Sequence, residues 1–221
     1  MKGLFNGFNV DVISTGSHGN CTVLDNVLAL DMGIPFNQIS AYVPFLQVVF
    51  ISHEHGDHFK ASTIKNLAYK RPQLRFCAGK FMATKLLAAG VDRRNIDVLK
   101  IGKRYNYGLF AVEPVQLHHN VDCYGLKIYK PNEMKAIYAV DTGSMDGIEA
   151  KGFGLFLVEA NHSEAEIEER AAKKLENGEF SYESEAALNH LSFEKASEWL
   201  RDNMDSHSLW IPMHMHNGRR D

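Results

Sequence analysis

Apolar residues come in short bursts along this chain, and their spacing changes from one stretch to the next. Through the first fifty or so positions they alternate or run solid over a few residues, the mark of strands with one or both faces buried. That pattern predicts strands over 8–15, 21–25, 27–31 and 47–52, with Gly16, Gly19 and Gly33 turning the chain between them. Beyond Asp57 the period lengthens. Phe59, Ile64, Leu67 and Ala68 share one side of a helix that runs to about Arg71 and is stopped by Pro72. A strand over 74–78 and a helix over 80–89 ended by Gly90 should follow, while 96–107 reads as an irregular or extended connection. Strands return at 109–118, 124–129, 135–140 and 155–159. Between Ser163 and Gly178 the pattern predicts a charged helix: Ser163 and Glu166 have capping-box spacing, and Glu166/Arg170 and Glu169/Lys173 stand four apart. It reads as a solvated outer face. A last helix over 193–204, burying Phe193, Ala196 and Leu200, leads into a strand over 208–213.

Two series of strands with helices between them predict an α/β protein of two sheets flanked by helices, an αββα sandwich. No repeat or low-complexity linker interrupts residues 1–221, so a single domain is expected. With 45% hydrophobic and 23% charged residues, the chain can build a globular core. A net charge of −3 argues against a protein that holds nucleic acid through its overall field. Lys100, Lys103 and Arg104 form a small basic cluster that reads as a solvated face. Cys21, Cys77 and Cys123 lie far apart with no CxxC, which disfavours a disulfide framework or a cysteine-rich zinc module. The start has no long apolar stretch and no run is long enough to span a bilayer, so the cytoplasm is the expected location.

Histidine changes the picture. There are 11, and three stand in His53-Glu54-His55-Gly56-Asp57-His58, directly after an apolar strand. Residues two apart in an extended segment point the same way, so His53 and His55 can grip one ion together. Gly56 lets the chain turn, and Asp57 and His58 then stand at the start of the next helix, aimed at a second ion. Imidazole and carboxylate ligands without thiolate suit zinc, with manganese or iron also fitting.

HxHxDH after a strand, here His53, His55, Asp57 and His58, resembles the signature of the metallo-β-lactamase superfamily of dinuclear metal hydrolases, and the resemblance runs from about Val10 to His216. It implies a further histidine at a strand end, where His118 and His119 compete. Asn120 stands where relatives usually carry Asp, which selects His119 and leaves His118 as a polar neighbour or substrate contact. The aspartate that would bridge both metals is Asp141, in Ile137-Tyr138-Ala139-Val140-Asp141-Thr142-Gly143. For the last ligand, alignment of the final strand favours His214 over His216. The implied sites are His53, His55, His119 and Asp141 for one Zn2+, and Asp57, His58, His214 and Asp141 for the other. A water bridging two cations loses its proton near neutral pH and becomes the nucleophile.

Such a site serves many reactions, so the fold does not name the substrate. Glu159, in Leu157-Val158-Glu159-Ala160-Asn161-His162, and His190, in His190-Leu191-Ser192, resemble the Glu and His-Ser-Thr motifs of superfamily phosphodiesterases such as the tRNA 3′-processing nucleases. The resemblance makes His190 a general acid and Glu159 its orienting partner, completing with Asp57 the catalytic set; Ser192 would cap the last helix. His162 is either a neighbour of this site or exposed. Thr15-Gly16-Ser17-His18-Gly19-Asn20 is similar to a Gly-Ser-Ser-Gly-Asn turn of the bacterial branch of DNA-exonuclease-like metallohydrolases, with His18 replacing a small residue. Asp31 matches a position that supports the metal site from behind.

The expected activity is a phosphodiesterase acting on a small or cyclic nucleotide phosphodiester. A DNA or RNA nuclease is the first alternative, and a lactone, thioester or β-lactam hydrolase the second. The expected partner is thus a small phosphodiester or a nucleic acid; a homodimer is allowed and a membrane is not.

Overall fold

A computed structural model of the chain describes residues 1–177 and 188–215. Among these, seven strands form one sheet in the order β1 (Lys2–Phe5), β2 (Phe8–Ser14), β3 (Cys21–Leu24), β4 (Leu28–Leu30), β5 (Val48–Ile51), β6 (Arg75–Gly79), β7 (Ile96–Leu99). Six more form a second: β8 (Tyr105–Asn106), β9 (Ala111–Leu117), β10 (Cys123–Tyr129), β11 (Lys135–Ala139), β12 (Leu155–Glu159) and β13 (Leu209–Met213), again in chain order across the sheet. Each sheet begins antiparallel and ends parallel. The change falls at β4 in the first sheet and at β11 in the second.

Alternation within the strands builds the layers. Val48 and Phe50 of β5 and Leu155 and Leu157 of β12 point into a core shared by the two sheets. Their neighbours point outward. Val49 and Ile51 meet Ile64 and Leu67 of α2 (Ala61–Lys70) and Leu86 of α3 (Ala83–Ala88), beneath the short α1 (Phe36–Ile39) with Ile39. Phe156 and Val158 meet Ala196 and Leu200 of α5 (Phe193–Asn203). Strands covered on both faces need apolar residues at every position, which is why β5 and β12 read as solid apolar runs. The result is the expected αββα sandwich. The charged helix α4 (Glu164–Glu176) carries both foreseen pairs, Arg170–Glu166 at 3.3 Å and Lys173–Glu169 at 2.6 Å.

Several local expectations change. Residues 96–107 hold two edge strands, β7 and β8, which half-exposed side chains had hidden. β1 was not foreseen. Helix α2 starts at Ala61, three residues past His58, because His58 and Phe59 first turn back onto the carbonyl of His55. Ser163 meets Glu194 rather than Glu166: its hydroxyl donates to that carboxylate, as does the Glu164 amide. Phe193 is 50% exposed and lies against Trp210 instead of in the core. Ser192 caps α5 as expected, accepting from the Lys195 amide at 3.1 Å.

Candidate metal centre

The loop after β5 is fixed by its neighbour. Met32 pairs with Phe59, the Met32 amide donates to the His58 carbonyl and the Lys60 amide to the Met32 carbonyl. Gly33 has to be glycine there, because a Cβ would sit 1.7 Å from the Asp57 carbonyl oxygen. The chain turns at Gly56 as expected, the His58 amide closing onto the His55 carbonyl, but the turn does not require glycine: its φ is not left-handed and nothing lies within 4 Å of a Cβ placed on it. From the second sheet come His119, two residues past β9, Asp141, two past β11, Glu159 at the end of β12, and His214, the residue after β13. Asp141 and His214 take left-handed φ values of 60° and 49°, which turn the chain sharply at the strand end.

All seven expected ligands meet. His53, His55, His119 and Asp141 form one cluster and Asp57, His58, Asp141 and His214 a second, each with ligand atoms within 4.8 Å of one another. In the first, His53 Nε2 is 3.3 Å and His119 Nε2 3.9 Å from Asp141 Oδ2, and His119 Nε2 is 3.3 Å from His55 Nδ1. In the second, His58 Nε2 lies 3.0 Å from Asp141 Oδ2 and 3.6 Å from Asp57 Oδ2, while His214 Nε2 is 3.6 Å from Asp57 Oδ2. Asp141 is common to both. His118, the other candidate of its pair, has an exposed side chain; its amide donates to Thr142 Oγ1 and its carbonyl accepts from the Gly143 amide. His216 lies outside the described residues.

The donor set fits divalent cations. His53 Nε2, Asp141 Oδ1 and His214 Nε2 are buried and have no hydrogen-bond partner among the described residues. Buried polar atoms left unpaired are costly, and each of these belongs to a cluster in which a cation would satisfy it. The far nitrogens are occupied in the sense that favours ligation. His119 Nδ1 donates to the Asn189 carbonyl at 3.1 Å, so its Nε2 lone pair faces the first cluster. His58 Nδ1 donates to Asp31 at 2.7 Å, so Nε2 is its nitrogen toward the second. Burial lowers His58, but Asp141 and Asp31 outweigh it and raise the imidazole, so a cation there must displace its proton. Burial lowers His119 to about 4, so it is a neutral imidazole at physiological pH. Burial also pushes Asp141 upward, but the charge of His58, 3.0 Å away, and the nearness of His53 and His214 outweigh it and hold the carboxylate well below its usual range. Burial lowers His214, yet Asp57 and Glu159 raise it to about 10, so a cation binding there must displace a proton.

Glu159 is completely buried and joins three elements. Its Oε1 accepts from His190 Nδ1 at 2.7 Å and lies 3.1 Å from His214 Nδ1; its Oε2 accepts from the Thr142 amide at 2.9 Å. His190 and His214 stack with ring centres 5.1 Å apart. Burial draws His190 down, but the bond and charge of Glu159 raise it above the ordinary imidazole value. His162 is buried, and its backbone pairs with Ser192, so it is neither exposed nor in the clusters.

Residues that the sequence did not single out complete the surroundings. Asn161 donates to the His214 carbonyl at 2.9 Å and lies 3.1 Å from its Nδ1. Asn20, expected only as part of a turn, lies 2.8 Å from His58 Nε2 through its Nδ2, and its amide donates to the Asp57 carbonyl. Thr15 Oγ1 accepts from the His214 amide at 2.7 Å. Cys123 Sγ is 3.6 Å from His53 Nδ1. No signal of spacing marks these residues, since in sequence they are ordinary strand and turn positions.

Comparison with known proteins bears on the fold and the family. No curated protein sequence matches the chain. The fold is similar to that of YhfI from Bacillus subtilis, a metallo-β-lactamase fold protein, with TM-score 0.70 and 16% identity over 95% of this chain and 87% of that one. It is similar to the short form of human tRNase Z, with TM-score 0.66 and 13% identity over 93% and 92% of the two chains. A diphosphatase of the PhnP family gives TM-score 0.63 and 11% identity over 93% and 85%. Residues 27–215 match the model of the β-lactamase superfamily domain, and with the clustered His and Asp side chains this places the chain in the metallo-β-lactamase superfamily of metal-dependent hydrolases.

Proposed function

We propose that the protein is a dinuclear metal-dependent phosphodiesterase whose substrate is a small or cyclic nucleotide phosphodiester. His53, His55, His119 and Asp141 would hold one ion, and Asp57, His58, His214 and Asp141 the other; zinc suits this donor set, with manganese or iron as alternatives. Bound there, two cations supply an activated water and stabilise negative charge on phosphate oxygens. The observation that carries the phosphodiester reading is the Glu159–His190 pair, 2.7 Å apart beside the clusters. Glu159 accepts the Nδ1 proton, raises the basicity of the imidazole, and leaves Nε2 as the nitrogen to reach a substrate. A protonated Nε2 can protonate an alkoxide leaving oxygen, the help that a phosphodiester with a poor leaving group needs. Two proteins of similar fold, tRNase Z and a diphosphatase of the PhnP family, support the same reading.

Substrate size is argued from charge. Two of the three basic residues at 100–104 are engaged: Arg104 pairs with Glu113 and stacks on Tyr129, and Lys103 lies over Tyr105. That leaves little of a track for a polynucleotide. A nuclease is the second reading, favoured by the match to nearly the whole of tRNase Z. The described residues contain no helix long and apolar enough to cross a membrane, and we place the activity in the cytoplasm.

The test combines metal content with a leaving-group series. His190→Ala should keep its metal and slow substrates with poor leaving groups by roughly 10²–10⁴-fold, while a nitrophenyl ester suffers much less. Glu159→Gln should show the same pattern more mildly. Equal losses on both substrate types would remove His190 from the chemistry and the phosphodiester reading with it. Linear, cyclic and polynucleotide substrates assayed side by side then separate the first reading from the second.

A further inference from the structure

Asp31, fully buried at the end of β4, accepts from four donors: the Ser52 amide at 2.8 Å, Ser52 Oγ at 2.8 Å, His58 Nδ1 at 2.7 Å and the Tyr138 hydroxyl at 2.7 Å. Ser52 Oγ also lies 3.0 Å from His53 Nδ1. A serine hydroxyl has one proton to give. Given to Asp31, it leaves the Ser52 oxygen to accept from a protonated His53 Nδ1, and His53 Nε2 then turns a bare lone pair toward Asp141. Given to His53, it would set the Ser52 oxygen lone pairs against the Asp31 carboxylate at 2.8 Å. The first arrangement is the stable one. One carboxylate therefore sets the tautomer of His58 directly and that of His53 through Ser52, and these two histidines belong to different clusters.

Tyr138 brings in the second sheet. It lies three residues before Asp141, so the segment that presents the shared ligand also donates to the carboxylate behind His53 and His58. Its ring belongs to the core between the sheets and its hydroxyl is satisfied by Asp31.

We infer that Ser52 and Tyr138 are positioning residues of the metal centre: the chain Tyr138–Asp31–Ser52 fixes Nδ1-protonated His53 and His58 together, presenting Nε2 to each cluster. This rests on the metal-binding reading above. The buried hydroxyl of Tyr138 is what a phenylalanine at that place would lack, and the reach of Ser52 is what an alanine would lose.

Zinc affinity, measured by competition with a chromophoric chelator, tests the inference without an activity assay. Ser52→Ala should weaken zinc binding about 10–100-fold, the usual worth of a group that orients a ligand, with the loss at the cluster containing His53. Ser52→Thr keeps the hydroxyl and should restore binding to near the wild-type value. Tyr138→Phe, which preserves the core shape, should weaken both clusters by a smaller factor. In nitrogen-resolved NMR of the zinc-loaded protein, His53 and His58 should both show slowly exchanging Nδ1 protons, and Ser52→Ala should lose that of His53 alone. Wild-type affinity in Ser52→Ala, or failure of Ser52→Thr to restore it, overturns the inference. Should Ser52→Ala not fold, unchanged affinity at both clusters in Tyr138→Phe does so instead. Wild-type protein that takes up no zinc, manganese or iron brings down the metal reading itself, a result distinct from variants that bind as the wild type does.

Discussion

Strand β4 runs into Asp31-Met32-Gly33 and strand β11 into Val140-Asp141-Thr142-Gly143, and the two ends match in detail. Each strand is antiparallel to one neighbour and parallel to the other. Asp31 and Asp141 have φ of 59° and 60°. Gly33 and Gly143 each press on a backbone carbonyl, where an added Cβ would sit 1.7 Å from Asp57 O and 1.9 Å from Leu188 O. What differs is the company of the carboxylate. Asp31 is saturated by four donors and sits behind the clusters, whereas Asp141 keeps one buried oxygen without a hydrogen-bond partner and lies in both clusters. One backbone device thus delivers an aspartate closed off by donors in one sheet and, in the other, one left open to both clusters. Supply of donors decides which.

The comparison can be broken from either side. Asp141→Ala should have the largest effect, losing the shared ligand of both clusters: metal content by elemental analysis should fall from two per chain, and hydrolysis by on the order of 10⁴-fold or more. Full metal content in that variant would mean that Asp141 is as structural as Asp31. Asp31→Ala should instead register first in denaturant unfolding of the metal-free protein, by roughly 3–5 kcal/mol, because it leaves His58 and Tyr138 buried without their partner. A pH series sharpens that point. Burial pushes the Asp31 carboxyl up, but the His58 charge and bond outweigh it and hold the group below 3.8 in the folded protein. The stability gap between the wild type and Asp31→Asn should therefore be complete above pH 3.8 and shrink as the pH falls through the folded-state value. A gap that widened in acid would reverse the assignment.

Smaller effects come from the glycines. Gly33→Ala and Gly143→Ala should each cost about 1–3 kcal/mol or more, since backbone must move to admit the methyl group. Gly56→Ala, in open space within the histidine loop, should change stability by less than about 0.5 kcal/mol. Comparable unfolding midpoints for all three would show that the close approaches at Gly33 and Gly143 do not constrain the fold.

Legibility in the sequence follows the same division. The first sheet sends its candidate ligands from one loop, so His53, His55, Asp57 and His58 fall within six residues and announce themselves. The second sheet sends them one strand at a time, and His119, Asp141 and His214 needed a family resemblance to be picked from other histidines and aspartates. Solid apolar strands such as β5 and β12 were readable; the half-exposed edges β1, β7 and β8 lacked the contrast that makes a period visible. Ser52, Tyr138 and Asn161 were silent for another reason. Their roles are defined by which atom they meet across the molecule, and Tyr138 in sequence is one more core aromatic.

The bond between Thr15 Oγ1 and the His214 amide joins positions 199 residues apart. Contacts of such long range are expensive in chain entropy and form late, after local strands and helices have condensed. The second cluster, drawing on both Asp57 and His214, is therefore expected among the final parts of the molecule to assemble, an order that hydrogen-exchange labelling during refolding would test. An ion captured there would act as a clasp on a nearly finished fold, slowing its opening far more than it hastens its formation.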